Sequence, residues 1–122
     1  MEILLRPSVP EDVPVQRTLW SLSFGDDRAY INNFYKNYYR PDRVLVLEAE
    51  GAVRAMTAWF STVLSIPGKD QIFRAAYLYA VCVHPDWRGK GLAGKLLEGA
   101  GLYFRDRGIQ AVTTVPASRG LH

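Results

Sequence analysis

The stretch YLYAVCV-HPDWR-GKGLAGKLL, residues Tyr77 to Leu97, decides the fold. Residues 77–83 form an apolar run rich in aromatic and β-branched side chains, which predicts a strand. Residues 84–88 contain turn formers, and apolar side chains recur at helical spacing from Leu92 onward. This order aims several free backbone N–H groups and the positive end of a helix dipole at one point. Such a point binds phosphate.

Three phosphate-binding designs compete for this stretch, and residue spacing separates them. The first is the Walker loop, which needs a lysine followed by serine or threonine at the end of its glycine run. Lys90 is followed by Gly91, and Lys95 is followed by Leu96. The stretch therefore lacks the Walker pattern.

The second design is the dinucleotide-binding turn, whose bare G-x-G-x-x-G pattern is matched by Gly89, Gly91 and Gly94. That turn needs its glycines directly after a strand and an acidic residue about 20 positions further on. Here residues 84–88 separate the strand from the first glycine, and the next apolar strand, AVTTV at 111–115, carries no acid. The context therefore disfavours a nicotinamide-dependent oxidoreductase.

The third design fits both spacing and context. Residues 88–93, RGKGLA, match R/Q-x-x-G-x-G/A, the signature of the Gcn5-related N-acetyltransferase (GNAT) superfamily, and they follow a strand as that signature does. The chain resembles this family, and the resemblance implies acetyl-CoA as cosubstrate. By resemblance the backbone of the loop holds the pyrophosphate, and the preceding strand makes main-chain contacts to pantetheine. The implied cofactor residues are Val81, Cys82, Val83, Arg88, Gly89, Lys90, Gly91, Leu92 and Ala93.

Composition limits the alternatives. The 122 residues are enough for one domain with a real core, and 48% hydrophobic with 22% charged residues is typical of a globular chain. The net charge of +3 is mild and its lysines and arginines are scattered, which suits an acidic ligand such as CoA and predicts no nucleic-acid partner. The one cysteine, Cys82, has no partner for an internal disulfide, which favours a reducing compartment.

The longest apolar run, residues 75–83, is far shorter than the roughly 20 residues that span a bilayer. No charged lead followed by a long apolar stretch opens the sequence. We therefore expect a cytoplasmic protein with no membrane partner.

The first half of the chain predicts a strand followed by two helices. Residues 3–6 are predicted to form the strand. The first helix has two candidate starts: Ser8, which has the spacing of a capping box, and Asp12, which is followed by a proline near the first helical position. Its expected buried face is Val15, Leu19 and Leu22, and Gly25 ends it. The second helix covers residues 29–38, with Asp26 and Asp27 as caps, and its tyrosines are candidates for substrate contact as well as for packing.

The second half predicts a meander and a crossover. Strands at 43–48, 52–66 and 71–83 are joined by turns at 50–51 and 67–70, so they run antiparallel. An amphipathic helix follows from Leu92 to Gly108, and its three glycines, Gly94, Gly99 and Gly101, suggest close approach to the sheet. The strand at 110–115 then runs parallel to the strand at 71–83 because a helix crosses between them. The fold class is α+β with one mixed sheet, as in the GNAT-like acyl-CoA N-acyltransferase fold.

The resemblance covers the family's first part, up to its fifth strand. A fourth helix and two more strands, which the resemblance leads us to expect, are missing from residues 1–122, and Ser118 stands where many relatives have asparagine. We expect a single acetyltransferase domain that is incomplete at its C-terminus. A C-terminal segment or a second copy in a homodimer would then complete the sheet.

Candidate catalytic residues come from the strand at 71–83, which contains no acid and no histidine. Tyr77 and Tyr79 alternate onto one face of it and match positions where some relatives carry a base. A phenol with a pKa near 10 is protonated at neutral pH, so a role in orienting water or substrate suits it better than direct proton abstraction. Packing under the first helices is the alternative for both. We interpret Cys82 as a core residue and His84 as a turn residue.

The predicted function is transfer of an acetyl group from acetyl-CoA to a primary amine, directly within a ternary complex. The acceptor is a small-molecule or peptide amine. The alternative is a CoA-binding module without catalysis, or a partner-dependent part of a larger acetyltransferase.

Overall fold

Five strands form one mixed sheet in the computed structural model, which describes residues 2–25, 28–65 and 67–114. The strands are β1 (Ile3–Pro7), β2 (Val44–Ala49), β3 (Ala52–Ser65), β4 (Ile72–Val83) and β5 (Ala111–Thr114). Their order in the sheet is β1-β2-β3-β4-β5. The first four pair antiparallel, whereas β5 pairs parallel to β4. The predicted meander and helix crossover are therefore confirmed.

Three α-helices of the described residues cover the sheet, namely α1 (Val13–Phe24), α2 (Arg28–Asn37) and α3 (Leu92–Arg105). Of the two predicted starts for α1, the one at Asp12 is correct, with proline near the first helical position. The capping box at Ser8 is wrong. The Ser8 hydroxyl instead donates to the carbonyl of Pro41 at 2.8 Å and hydrogen-bonds the Tyr39 hydroxyl at 2.9 Å.

The core has two layers. Leu19 and Trp20 of α1 and Ile31 and Phe34 of α2 pack on one face of β2, β3 and β4. On the other face, α3 buries Leu92, Leu96, Ala100 and Phe104. Burying a leucine or phenylalanine side chain stabilises a fold by roughly 1.5–3 kcal/mol, so these helices hold the sheet between them.

The buried face of α1 differs from the predicted one. Leu22 is 49% exposed, so its assignment to the core was wrong, while Gln16 and Trp20 are buried beside Leu19. The Tyr35 hydroxyl donates to Gln16 Oε1 at 2.8 Å, and this bond helps a polar side chain to occupy a buried position. A pattern of apolar residues cannot predict that a glutamine is buried.

The glycines of α3 have different environments. A Cβ on Gly99 would lie 3.0 Å from Leu5 Cδ2, which confirms close approach of α3 to β1 at this position. A Cβ on Gly94 or Gly101 would meet nothing within 4 Å, so the same expectation was wrong for these two.

An ion-pair cluster ties β1 to β2 and to the start of α1. Arg6 Nε donates to Glu48 Oε2 at 2.7 Å, and the Arg6 guanidinium donates to both Asp12 carboxylate oxygens at 2.7 and 3.1 Å. The Val9 N–H also donates to Asp12, at 2.8 Å. Bonds from Arg6 are the main reason that the pKa of Asp12 lies below its usual value.

Several sequence-based predictions lie outside the described residues. They are the caps Asp26 and Asp27, the last residues Ile66 and Val115 of two predicted strands, and Ser118 with the segment after it. None of the described helices is long and apolar enough to cross a membrane.

Candidate active site

A β-bulge interrupts β4 at the centre of the sheet. Met56 pairs with Cys82 and Ala58 pairs with Tyr79, so two steps along β3 correspond to three along β4. Ala80, inside the bulge, has φ of 53°, a left-handed conformation that L-residues other than glycine rarely adopt. The buried Thr57 hydroxyl donates to the Tyr79 carbonyl at 3.2 Å and helps to hold the distorted strand. Backbone held in such a conformation is often found at functional sites.

Among the described residues, the edge of β4 that faces β5 is unpaired from Tyr79 to Val83, and we call this stretch the open edge of β4. β5 pairs with β4 only over residues 75–78, and none of the described strands pairs with residues 79–83 on that side. Backbone groups along this edge are therefore available to an extended ligand. The open edge is compatible with the predicted main-chain contacts from Val81, Cys82 and Val83 to pantetheine. These contacts stay a prediction.

The glycine loop lies at the end of the same strand. Gly89 has φ of 80° and Gly91 has φ of 78°, which glycine adopts without the steric cost of a Cβ. Gly91 precedes α3, and the Lys95 N–H donates to the Gly91 carbonyl at 3.1 Å. The first N–H groups of α3 have no acceptor within the helix by geometry, and the helix dipole makes this end positive. A pocket of about 260 Å³ lies here, lined by Val83, Trp87, Arg88, Gly89, Gly91, Leu92 and Ala93.

The side chains around the loop mainly support its shape. Arg88 Nε donates to the Val83 carbonyl at 3.2 Å, and Arg88 Nη2 donates to the Ser23 hydroxyl of α1 at 3.4 Å. His84 Nδ1 accepts the Asp86 N–H at 3.1 Å, which confirms His84 as a turn residue. Phosphate ligation by the loop backbone, from Arg88 to Ala93, stays a prediction.

An aromatic cleft of about 700 Å³ lies on the α2 side of the sheet. The Phe60 ring stacks on Tyr77 at 4.8 Å between centroids and is 5.6 Å from the ring of Tyr79. The predicted alternation of Tyr77 and Tyr79 onto one face is therefore confirmed, whereas their catalytic role stays a prediction. Seven aromatic residues line this cleft: Tyr30, Phe34, Tyr38, Trp59, Phe60, Tyr77 and Tyr79.

The cleft leads to the bulge. A second cavity, of about 340 Å³, shares Tyr30 and Tyr79 with the cleft and reaches Ala80. Sequence reasoning found Tyr77, Tyr79 and the tyrosines of α2 but missed Phe60, Arg40 and Arg43. The register of β3 against β4 brings Phe60 beside Tyr77, and no local pattern indicates that pairing.

Burial sets the protonation of two central groups. Burial raises the pKa of Tyr79, so its phenol is protonated at neutral pH. Burial also raises the pKa of Cys82 to about 12, and its thiol donates to the Ala80 carbonyl at 3.3 Å. Cys82 is 1% exposed, which confirms it as a core residue and disfavours it as a nucleophile. Within the part of the chain that the structure describes, no cluster of His, Cys, Asp or Glu could hold a metal ion.

Solved structures share this fold at low sequence identity. A transcriptional regulator from Bacillus halodurans aligns with a TM-score of 0.78 and 14% identity over 98% of this chain and 85% of its own. A GNAT family acetyltransferase from Staphylococcus aureus aligns with a TM-score of 0.74 and 16% identity over 100% and 92%. AAC(6')-Iy, in complex with the bisubstrate analogue CoA-S-monomethyl-acetylneamine, aligns with a TM-score of 0.72 and 16% identity over 99% and 84%. A search of curated protein sequences finds no significant match.

These likenesses establish the fold, and the family follows from the sequence itself. The family model described as "Acetyltransferase (GNAT) domain" matches residues 5–121, nearly the whole chain. The bulged β4, the glycine loop and the α3 N-terminus all lie within that match. The chain belongs to the GNAT acetyltransferase family.

Proposed function

We propose that this protein transfers an acetyl group from acetyl-CoA to a primary amine, directly within a ternary complex. The observation that carries the proposal is that three features follow one another along β4: the cleft whose neighbouring cavity reaches Ala80, the open edge of β4, and the glycine loop that comes between β4 and α3. A solved neighbour of this fold holds a CoA-based bisubstrate analogue, which supports CoA as the ligand type.

Two groups of residues would hold the cosubstrate. The N–H groups of residues 89–93 would bind pyrophosphate oxygens, since this loop precedes the positive end of α3. The main chain of Val81, Cys82 and Val83 would contact pantetheine along the open edge of β4. Cys82 contributes its backbone only, because its thiol is buried and donates within the bulge.

In this reaction a C–N bond forms between the acceptor amine and the acetyl carbonyl carbon, and the C–S bond breaks. A backbone N–H between residues 81 and 83 would stabilise the negative charge that develops on the carbonyl oxygen. The described lining of the cleft has no carboxylate or imidazole, so the amine's proton would leave through water that the Tyr79 hydroxyl orients. A proton returned through that water would neutralise the thiolate. Tyr77 would position the acceptor beside Phe60.

One observation favours a second candidate, a CoA-binding module without catalysis. The described residues that line the cleft include no strong proton acceptor, whereas the glycine loop that would bind CoA lies directly before the N-terminus of α3.

Release of free thiol from acetyl-CoA, measured with a mixture of primary amines, separates the two candidates. We expect amine-dependent thiol release with one acetylated product per thiol. CoA binding without any thiol release would support the module instead. Absence of both binding and turnover would contradict both candidates.

A further inference from the structure

We infer that the acceptor is a small aromatic amine that carries a carboxylate, such as an aromatic α-amino acid, and that polycationic amines are excluded. This inference rests on the proposed function, because it names the substrate class of the same site. Charge, shape and the position of Tyr79 in the cleft support it independently.

The charge of the cleft is positive. The described residues of its lining include two arginines, Arg40 and Arg43, and no acidic residue. Arg43 has no described carboxylate within 4.0 Å, and its guanidinium lies over the Trp59 ring at 4.5 Å. Arg40 Nε is 3.9 Å from Asp42 Oδ1, but both side chains are more than 60% exposed, so water screens this pair. The cleft therefore attracts a carboxylate and repels a ligand with several positive charges.

The walls of the cleft suit a flat ring. Phe60 is 46% exposed and Tyr30 is 56% exposed, although both are large aromatic residues. Exposed aromatic side chains gathered in a concave site commonly contact a ligand. Phe60 already stacks on Tyr77, and the exposed part of its side chain offers a surface for a third ring.

The position of Tyr79 links the carboxylate to the reaction. Arg43 and Tyr79 both line the cleft, so a ligand that fills it can contact both residues. An α-amino acid carries its amine and carboxylate on one carbon. With its carboxylate at Arg43, its amine would lie toward Tyr79 and the cavity that reaches the bulge at Ala80.

The test uses matched acceptors that differ only in the carboxylate. Thiol release from acetyl-CoA is measured with phenylalanine against phenethylamine, and with tryptophan against tryptamine. Kanamycin and spermidine serve as polycations. We expect kcat/KM to be roughly ten- to a hundredfold higher for the amino acid of each pair, the range expected for one charged hydrogen bond. Equal or higher values for the amines lacking a carboxylate, or for the polycations, would overturn the inference.

Variants assign the preference to Arg43. Arg43→Gln should remove most of the difference within each pair, and Arg43→Lys should restore part of it, since lysine keeps the charge but not the planar fork. Arg105→Gln, which removes an exposed arginine of α3 outside the cleft, should leave the preference unchanged. A preference that survives Arg43→Gln and Arg40→Gln would overturn the role of the arginines.

A binding measurement keeps the inference separate from the proposed function. If acetyl-CoA binds but no amine is acetylated, titration calorimetry compares phenylalanine and phenethylamine binding to the CoA-loaded protein. Tighter binding of phenylalanine, lost in Arg43→Gln, would support the inference while the proposed catalysis fails. No binding of either compound would overturn the inference.

Discussion

Tyr79 lies where the aromatic cleft meets the cavity at the bulge of β4. Its raised pKa keeps the hydroxyl protonated, so its useful chemistry is to donate a hydrogen bond. Its ring lies 5.9 Å from Phe34, which shows that it also packs. The two roles are separable by removing the hydroxyl alone.

We expect Tyr79→Phe to lower kcat roughly ten- to a hundredfold, because a proton-carrying water loses its partner. The dissociation constant for CoA should stay nearly unchanged. Tyr103→Phe, on α3 and outside the cleft, is the matched control and should retain full turnover. A lower melting temperature for Tyr79→Phe with unaltered turnover would show that Tyr79 serves packing only.

Asp12 offers a residue-scale test of pH dependence. Its pKa is held below the ordinary value of 3.8 mainly by hydrogen bonds from Arg6. The carboxylate therefore contributes stability above that pH, and the contribution is lost as the pH falls through the lower folded-state pKa. Asp12→Asn should lower the free energy of unfolding by roughly 1–2 kcal/mol at pH 7 and by less at pH 3.

Urea denaturation at both pH values measures this difference. Asp70→Asn, in the exposed turn between β3 and β4, is the control and should change stability little at either pH. An equal loss for Asp12→Asn at pH 7 and pH 3 would show that the ion pair with Arg6 does not stabilise the fold.

At the scale of elements, β4 shows where sequence patterns stop being informative. Residues 71–83 read as one regular strand, and the strand indeed covers Ile72–Val83. Within it, however, Tyr79 and Cys82 contact the same core cluster although they are three residues apart, which breaks the period of two. Nothing about alanine at position 80 indicates a left-handed conformation, because the bulge arises from pairing with β3 and from the Thr57 hydrogen bond.

The turn from β4 into α3 was predictable because glycine at a left-handed position and helical spacing after it are local signals. Gly91→Asp should abolish CoA binding, since it places a side chain and a negative charge at the helix start. Gly68→Asp is a matched control, because Gly68 has φ of 80° and lies in an exposed turn far along the chain from the loop. Both changes carry similar backbone strain, so calorimetry with CoA isolates the charge and shape effect. Retained CoA binding in Gly91→Asp would contradict the loop assignment.

At the scale of the whole molecule, the strand order could be read from the sequence but the cleft could not. Turns at 50–51 and 67–70 and one helix crossover determine the order β2-β3-β4-β5, because neighbouring antiparallel strands need only short connections. The cleft combines residues from α2, from the 3-10 turn before β2, and from β3 and β4. Which side chains meet there depends on how α2 packs on the sheet, and single-residue preferences carry no information about that.

Ligand binding should stabilise the whole chain if the loop and the edge of β4 act as one site. Only the folded state brings the N–H groups before α3 and the open edge of β4 together, so CoA binds the folded state and not the unfolded one. At about 100 times its dissociation constant, CoA should raise the free energy of unfolding by roughly 2.7 kcal/mol. For a domain of this size that corresponds to a rise in melting temperature of roughly 10 °C.

NAD and ATP at the same concentration should raise the melting temperature much less. The loop has neither the lysine followed by serine or threonine of a Walker site nor the acid that follows a dinucleotide turn. A thermal-denaturation series with CoA, acetyl-CoA, NAD and ATP makes the comparison, and Gly91→Asp serves as the variant that should respond to none of them. An equal rise with NAD would mean that the N-terminus of α3 binds phosphate without recognising the pantetheine arm, and the assignment of the β4 edge would fail. No rise with CoA would mean that the loop does not bind its pyrophosphate, and the loop assignment itself would fail.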